Sequence, residues 1–148
     1  MNFYKHFIGD YARDTGDLSL VEHGAFRLML DHFYGMARPL PADRKALYRL
    51  LRAETDMERR AIDRIALRFW HTLPSDLDAL YSLMKLDTEA ERLPLRTVAT
   101  EWTEAGGLIN LRALGEIVKA HLLAEKNRQI AVDRERKKRL QLVSGGRS

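Results

Sequence analysis

Three arginines recur every four residues near the middle of the chain: Arg60, Arg64 and Arg68. Residues at this spacing lie on one face of an α-helix, and His71 continues the row. Guanidinium groups form paired hydrogen bonds with phosphate oxygens and with the edge of guanine, so the row predicts contact with DNA. The alternative is the charged side of an ordinary amphipathic helix, because acidic residues lie among the arginines: Asp56, Glu58 and Asp63.

A second basic row comes earlier in the chain and consists of Lys45, Arg49 and Arg52, with Tyr48 at its edge. The other side of the same segment is leucine-rich: Leu47, Leu50 and Leu51. This pattern predicts a helix that packs through its leucines and exposes its cations. We expect these cations to contact the phosphate backbone beside the groove that the arginine row enters.

The end of the chain holds the excess positive charge. Residues 126–148 contain eight Lys/Arg against two Asp/Glu, a net of +6, whereas residues 1–125 contain 17 against 19, a net of −2. The cations are densest in one short run: Arg134, Arg136, Lys137, Lys138 and Arg139. The run predicts sequence-independent phosphate contact that weakens steeply as salt rises. The alternative is a solvated helix end whose cations interact favourably with the helix dipole.

Residues that could carry catalysis or hold a cofactor do not form a recognisable set. The chain has no cysteine, which excludes disulfides, Cys-based zinc sites and a thiol nucleophile. Its five histidines are scattered, and no P-loop or dinucleotide-binding glycine motif is present. Two turns and a helix cap account for most of the one acidic concentration: Asp10, Asp14, Asp17, Glu22 and Asp31. We therefore expect a protein that is not an enzyme and that binds no metal and no cofactor.

Local signals predict the helices that position the two basic rows. Capping boxes, in which a Ser or Thr is followed three residues later by Glu, begin two of the helices at Ser19 and Thr55. The helix between these two begins with Pro41 at or beside its first helical position. The predicted helices run from Ser19 to about Tyr34 with closure at Gly35, from Ala42 to Arg52, and from Thr55 to about His71. A short helix, a brief turn and an arginine-faced helix form a helix-turn-helix, whose later helix enters the major groove.

The remaining segments have weaker signals. An aromatic-rich run at 3–8 predicts a strand or an extended arm that ends at Gly9-Asp10, followed by a turn at 14–17. The other predictions are a helix at 75–84, a polar and turn-rich stretch at 86–95, a helix or strand at 97–102, a turn at 105–107, a strand at 108–111, a long helix at 112–140 and a flexible end at 144–148.

Composition predicts a globular, cytoplasmic protein. Hydrophobic residues make up 45% of the chain and charged residues 31%, which are globular values. No stretch approaches the roughly 18 apolar residues of a membrane span, so we expect no membrane contact. The absence of cysteine fits a reducing compartment.

The N-terminal half, over about residues 3–71, resembles the YdaU-like family, a phage and prophage domain of unassigned function that is placed among winged-helix folds. The resemblance lies in the residues 6–11, 14–15, 18–20, 22–27, 30–31, 33–34 and 39–43. A further stretch, 106–112 with Glu116 and 125–128, resembles the hairpin and basic helix that follow in the family. Between Trp70 and Gly106 the chain has some thirty residues more than the family pattern, at the place where a wing would form.

Together these observations predict a mainly α protein with a small β wing: a winged-helix, helix-turn-helix-like core followed by a long basic C-terminal helix. The expected domain covers residues 1–111 with an insertion at about 72–105, and a basic helical tail covers 112–148. The predicted function is non-catalytic binding of double-stranded DNA, which the resemblance places in replication initiation or transcriptional regulation.

The alternative is a protein–protein adaptor that engages a replication protein or a host factor without direct DNA binding. Its docking surfaces would be residues 75–102 and the long C-terminal helix. Self-assembly through that helix has weaker support, because its heptad positions break at His121 and Glu125. The oligomeric state is left open.

Overall fold

Eight helices and two short strands are present in residues 3–145, which are the residues that the computed structural model describes. The predicted mainly α class with a small antiparallel sheet is confirmed. In chain order the elements are α1 (Ile8–Thr15), α2 (Leu20–Met36), α3 (Arg44–Leu51), α4 (Asp56–Phe69), β1 (His71–Thr72), α5 (Leu77–Leu83), α6 (Glu89–Ala99), α7 (Trp102–Ala105), β2 (Leu108–Ile109) and α8 (Leu111–Gly145).

The helices begin where the capping residues stand. Ser19 Oγ accepts a hydrogen bond from the amide of Glu22 at 3.2 Å, and Thr55 Oγ1 accepts one from the amide of Glu58 at 3.2 Å. Both predicted capping boxes are therefore confirmed. Asp43 caps α3 in the same way, so α3 begins at Arg44 and the predicted beginning at Ala42 was wrong. Each such cap is worth about 1 kcal/mol.

The ends of the helices differ from prediction. α2 does not close at Gly35 but continues to Met36, and Ala37 takes the left-handed position with φ of 49°. α4 ends at Phe69, and His71 lies in β1, so the prediction that His71 continues the arginine row was wrong. The indole ring of Trp70 is buried against Phe33, with ring centroids 5.4 Å apart, and this packing accompanies the extended backbone after α4.

The first residues form an arm and a helix. Residues 3–7 have no regular structure, and the helix α1 begins at Ile8. The predicted end of an extended segment at Gly9-Asp10 was wrong, because Asp10 lies in the first turn of α1. The arm has no strand partner among the described residues. It is held instead by the ring of Tyr4, which stacks on Tyr34 with centroids 4.1 Å apart.

The stretch 86–95 was also predicted wrongly, because most of it is helical. α6 begins after Thr88, whose Oγ1 accepts a hydrogen bond from the amide of Glu91 at 3.2 Å in a third capping box. Pro94 lies inside the helix, and the neighbouring Leu95 is buried. Packing of α6 against α8 thus overrides the polar composition. Residues 97–102, for which helix and strand were both open, are divided between α6, a short turn and the first residue of α7.

The sheet joins three separate parts of the chain around Leu108. β1 pairs antiparallel with β2, with His71 opposite Ile109 and Thr72 opposite Leu108. On its other side Leu108 forms a bridge with Leu40, whose amide and carbonyl make hydrogen bonds of 2.9 and 2.8 Å with it. The spatial order is therefore Leu40, β2, β1. The predicted strand at 108–111 is confirmed for its first two residues, since α8 begins at Leu111.

Residues 73–107 connect β1 to β2 and carry α5, α6 and α7. It covers the stretch at about 72–105 that the sequence predicts to be an insertion. It contributes to the same core as the rest of the chain, because Leu95, Ala99 and Trp102 are buried. The ring of Trp102 lies 6.3 Å from the ring of Phe33 in α2.

α8 has two different halves. Its first turns supply Ala113, Leu114 and Ile117 to the core, so the predicted boundary at 111/112 falls where this helix begins. From Leu122 to Gly145 every residue is exposed, and at 1.5 Å per residue this half projects about 36 Å. Residues 144–145 are helical, and the rest of the predicted flexible end lies outside the described residues.

Gly107 lies at the closest approach of the sheet and provides a stability test. Its φ is +126°, and a Cβ atom there would lie 2.6 Å from the carbonyl oxygen of Leu40. Gly107→Ala should lower the free energy of unfolding by roughly 2–4 kcal/mol, because strain and a backbone clash combine. Urea denaturation measures this.

Gly35→Ala is the matched control. Gly35 lies within α2, and a Cβ atom there meets no other atom within 4 Å, so alanine should raise the free energy of unfolding by about 0.5–1 kcal/mol. Equal effects of the two substitutions would contradict the described geometry around Leu108.

Candidate nucleic-acid interface

Positive charge in the folded part of the chain is concentrated on α3 and α4. Residues 44–69 contain eight Lys/Arg against four Asp/Glu, a net of +4. The rest of residues 1–125 contains nine against fifteen, a net of −6. The connection 73–107 alone has three against seven, a net of −4. The basic surface is therefore a local feature on an otherwise acidic body.

The predicted row on α3 lines a shallow surface concavity of about 330 Å³. Lys45, Arg49 and Arg52 border it, together with Arg59 from the first turn of α4. None of the first three forms an ion pair with a residue that the structure describes. Arg59 is held in place, because its Nη1 lies 2.8 Å from Asp56 Oδ1 and its Nη2 donates to the carbonyl of Glu54 at 3.3 Å. The concavity thus presents several cationic groups to solvent.

Tyr48 ties the two helices together at the edge of this concavity. Its hydroxyl donates to Asp63 Oδ1 at 2.6 Å, and Arg44 Nε lies 3.2 Å from the same oxygen. The hydrogen bond to Asp63 raises the pKa of Tyr48 above its usual range. The carboxylate of Asp63 is therefore used in the contact between α3 and α4. It does not neutralise Lys45, Arg49 or Arg52 through an ion pair.

The predicted arginine row on α4 divides into one free member and two paired ones. Arg60 is exposed and makes no ion pair within residues 3–145. Arg64 Nη1 lies 3.2 Å from Glu22 Oε1. Arg68 Nη1 lies 2.8 Å from Asp17 Oδ2, and its Nη2 donates to the carbonyl of Asp14 at 3.3 Å. The last two arginines therefore also fasten α4 to the N-terminal helices.

The Arg68 pair also changes the ionisation of the acid that it contacts. Arg68 donates a hydrogen bond to the carboxylate of Asp17, and this holds the pKa of Asp17 below its usual range. The Arg68–Asp17 pair is open to solvent, with side chains 47% and 67% exposed, whereas Arg64 is 73% exposed and its partner Glu22 only 14%. An exposed pair is worth about 0–1 kcal/mol, so phosphate can compete for Arg68. Competition for Arg64 costs more, because the Glu22 carboxylate is mostly buried. Leu67, 84% exposed, lies between the two arginines on the outer face of α4.

The basic cluster of the tail is separate from this surface. Successive residues of a helix are about 100° apart, so the five cations from Arg134 to Arg139 surround α8 instead of forming one stripe. Arg139 Nε lies 3.7 Å from Glu135 Oε1. All of these residues are exposed, so the tail does not pack against α3 and α4.

One site was missed by the sequence interpretation, namely a cavity of about 310 Å³ under the N-terminal arm. Rings of Tyr4, Phe7 and Tyr11 contribute to its walls. Burial raises the pKa of Tyr4 above its usual range and that of Tyr34 to about 12, so these phenols stay neutral. The aromatic density of residues 3–11 was the available signal, but it was interpreted as strand propensity.

Within the described residues, no group of three or more histidine or acidic side chains is arranged to hold a metal ion. Over the same part of the chain, no helix is both long enough and apolar enough to cross a membrane.

One comparison with known proteins finds a match in the N-terminal half. The model of a family described as "Protein of unknown function (DUF1376)" matches residues 2–72. Residues 2–72 carry the pattern of an uncharacterised domain family. This DUF1376 region spans the arm, α1 to α4 and β1, and so includes both basic rows and much of the cavity wall. No curated protein and no solved structure matches the chain.

The match confirms the predicted resemblance at the level of an uncharacterised domain. The YdaU-like and phage assignments are finer, and they stay predictions. The DUF1376 region ends at Thr72, so the connection 73–107 and α8 lie outside it.

The contact of Tyr48 with Asp63 predicts a pH-dependent stability difference. Tyr48→Phe should lower the free energy of unfolding by about 1 kcal/mol near neutral pH, because Asp63 loses a donor. Because the pKa of this phenol is higher in the folded state, its contribution to the free energy of unfolding is complete below the unfolded-state pKa of about 10. The contribution is lost as the pH rises through the folded-state pKa. Urea unfolding of both proteins should therefore show a gap that narrows above about pH 10. A gap independent of pH would contradict this role.

Proposed function

We propose that this chain is a non-catalytic DNA-binding protein in which α3 and α4 act as a helix-turn-helix on double-stranded DNA. The observation that carries the proposal is a set of exposed cations, in or directly after these helices, that form no ion pair with any residue the structure describes: Lys45, Arg49, Arg52 and Arg60. α4 would meet the major groove through Arg60 and Arg64, and α3 would contact the flanking phosphates.

The order of elements supports a winged-helix form of this motif. A helix (α2) is followed by the bridge residue Leu40, then by α3 and α4, and then by β1 and β2, with β2 between Leu40 and β1. In a winged helix the last strand of the sheet likewise lies between the other two. The connection between β1 and β2 is where the wing would lie, and here it carries three helices.

The charge of that connection determines what it can contribute. A net of −4 over residues 73–107 would repel phosphate, so this segment is a poor substitute for a DNA-contacting wing. DNA contact then depends on α3, α4 and the basic tail. Arg134, Arg136, Lys137, Lys138 and Arg139 would add sequence-independent affinity.

The biological setting that we propose is replication initiation or transcriptional regulation in a phage or prophage. It rests on the resemblance of residues 3–71 to the YdaU-like family. The adaptor hypothesis stays the second candidate, since the acidic helical connection in the place of a wing is a surface suited to a protein partner. A complex with a replication protein that persists at physiological salt, without any affinity for duplex DNA, would favour the adaptor.

Removal of the α3 cations tests the proposal directly. Lys45→Gln/Arg49→Gln should weaken duplex binding and reduce the slope of log affinity against log salt by about 0.9 per lost phosphate contact. The control is Lys85→Gln/Lys119→Gln, which removes two cations outside the α3–α4 surface. Fluorescence anisotropy over a salt titration measures both. Equal slopes for the two variants would remove α3 from the interface.

The same titration also tests whether α4 contacts the major groove. Arg60→Ala/Arg64→Ala/Arg68→Ala is compared with Arg60→Ala alone, because Arg68 also holds Asp17. The single substitution should account for most of the loss, about 1–3 kcal/mol if Arg60 contacts a base. Unchanged affinity of the triple variant for duplex DNA at low salt would overturn the groove assignment.

Removing the positive charge of the tail tests whether the tail contributes to DNA affinity without contributing to stability. Replacing Arg134, Arg136, Lys137, Lys138 and Arg139 by Gln should leave the free energy of unfolding within about 0.5 kcal/mol, because these side chains contact no core residue. Duplex affinity and salt slope should both fall, and by similar amounts for unrelated DNA sequences. A loss confined to one DNA sequence would instead assign specificity to the tail.

A further inference from the structure

The cavity under the N-terminal arm lies apart from the basic surface of α3 and α4. The arm, α1, α2, the end of α4 and the beginning of α8 enclose it, and none of the cations proposed to contact DNA lines it. Its volume of about 310 Å³ is at the lower end of the range for small-molecule sites. At roughly 30 Å³ for each water-sized group, the space holds about ten non-hydrogen atoms. This is the size of one or two fused planar rings.

The walls are predominantly aromatic. The rings of six tyrosines and phenylalanines contribute, together with the imidazole of His6: Tyr4, Phe7, Tyr11, Phe26, Tyr34 and Phe69. Tyr11 and Phe26 meet edge to face with centroids 5.4 Å apart, as do Phe26 and Phe69 at 4.9 Å, whereas Tyr4 and Tyr34 are stacked on each other at 4.1 Å. Aromatic walls favour a flat, polarisable ligand, since stacked and edge-to-face ring pairs are worth about 0.5–1.5 kcal/mol beyond burial.

The ring of Tyr11 has a fixed orientation within this wall. Its hydroxyl lies 2.7 Å from Nδ1 of His23, and its ring is also in contact with the ring of His6 at 5.1 Å. The aromatic wall is therefore formed before any ligand arrives. Preorganisation of this kind reduces the entropy lost on binding.

Two cationic side chains belong to the lining. Lys5 lies on the exposed arm and forms no ion pair among residues 3–145. Arg112, at the beginning of α8, has its guanidinium 4.7 Å from the ring of Phe7 and its Nη2 2.8 Å from Asp10 Oδ2. Asp14 is the one carboxylate of the lining. An anionic group attached to a ligand ring thus finds a free ammonium group and an oriented guanidinium group.

We propose that this cavity binds a planar aromatic ring that carries an anionic group, as in a purine nucleotide. The ring lies among the aromatic walls, and the phosphate faces Lys5 and Arg112. The same chemistry occurs in a free nucleotide and in a base of single-stranded DNA, where stacking on aromatic side chains is the usual mode of contact. The site does not depend on duplex binding by α3 and α4.

The test uses the whole chain and three probes: deoxyadenosine monophosphate, deoxyadenosine, and deoxyribose 5-phosphate. Calorimetry measures affinity, and NMR follows the ring signals of the cavity. The monophosphate should bind about tenfold more tightly than deoxyadenosine, because a charge-assisted contact is added. Deoxyribose 5-phosphate, which lacks the ring, should not bind. Changes in NMR chemical shift should be confined to cavity residues such as Tyr11 and Phe7.

Lys5→Gln should remove part of the tenfold preference for the monophosphate over deoxyadenosine, since Arg112 remains, and should leave deoxyadenosine binding unchanged. Lys126→Gln, which removes an exposed lysine from the projecting half of α8, is the matched control. Tyr11→Leu should weaken all binding of the ring, with circular dichroism reporting that the variant is folded. Displacement of the monophosphate by a short single-stranded oligo-deoxyadenylate assigns the site to a base within a strand, and failure to displace assigns it to the free nucleotide.

No binding of the monophosphate to the folded protein at about 1 mM, the weak end of measurable affinity, would overturn the proposal. So would binding that is lost in Lys45→Gln/Arg49→Gln but retained in Lys5→Gln, because the phosphate would then lie on the α3–α4 surface. Duplex binding that fails while nucleotide binding persists would reject the proposed function and leave this site in place.

Discussion

The packing of Phe33 is the constraint on which the rest of the structure depends. Its ring is fully buried in α2, with edge-to-face contacts to Trp70 and Trp102. Trp70 directly follows α4 and Trp102 begins α7, so one side chain holds together α2, the end of α4 beside the sheet, and the connection 73–107. Loss of such a ring from a core typically costs 3–5 kcal/mol. The outward face of α4 is therefore set by contacts on its opposite side.

The cations on the surface above this core fall into two groups, those paired with acids and those without such partners among the described residues. Glu22 of α2 pairs with Arg64, Asp17 of the turn before α2 pairs with Arg68, and Asp63 pairs with Arg44 and Tyr48. These contacts neutralise charge where elements meet. The remaining cations on α3 and α4 have no such partners among the described residues. The basic surface thus results from the way the acids are used elsewhere in the fold, as much as from the number of arginines.

Local interactions made parts of the fold predictable. The capping boxes at Ser19 and Thr55 join groups three residues apart, so their spacing in the sequence contains the whole interaction. The ends of the helices were less predictable. α2 passes through Gly35 and ends before Ala37, and α4 stops before Trp70. After α4, burial of Trp70 against Phe33 accompanies the end of the helical repeat, and no local pattern records that contact.

The sequence by itself determined where the charge lies, where the capped helices α2 and α4 begin and that the chain is mainly helical, because these depend on composition and on contacts within one helical turn. Only the tertiary structure decided which arginines are free. Arg64 meets an acid 42 residues away and Arg68 one 51 residues away. The aromatic cavity likewise requires the arm, α2, α4 and α8 to meet. Such pairings follow from the closing of the chain around a shared core, and no local pattern records them.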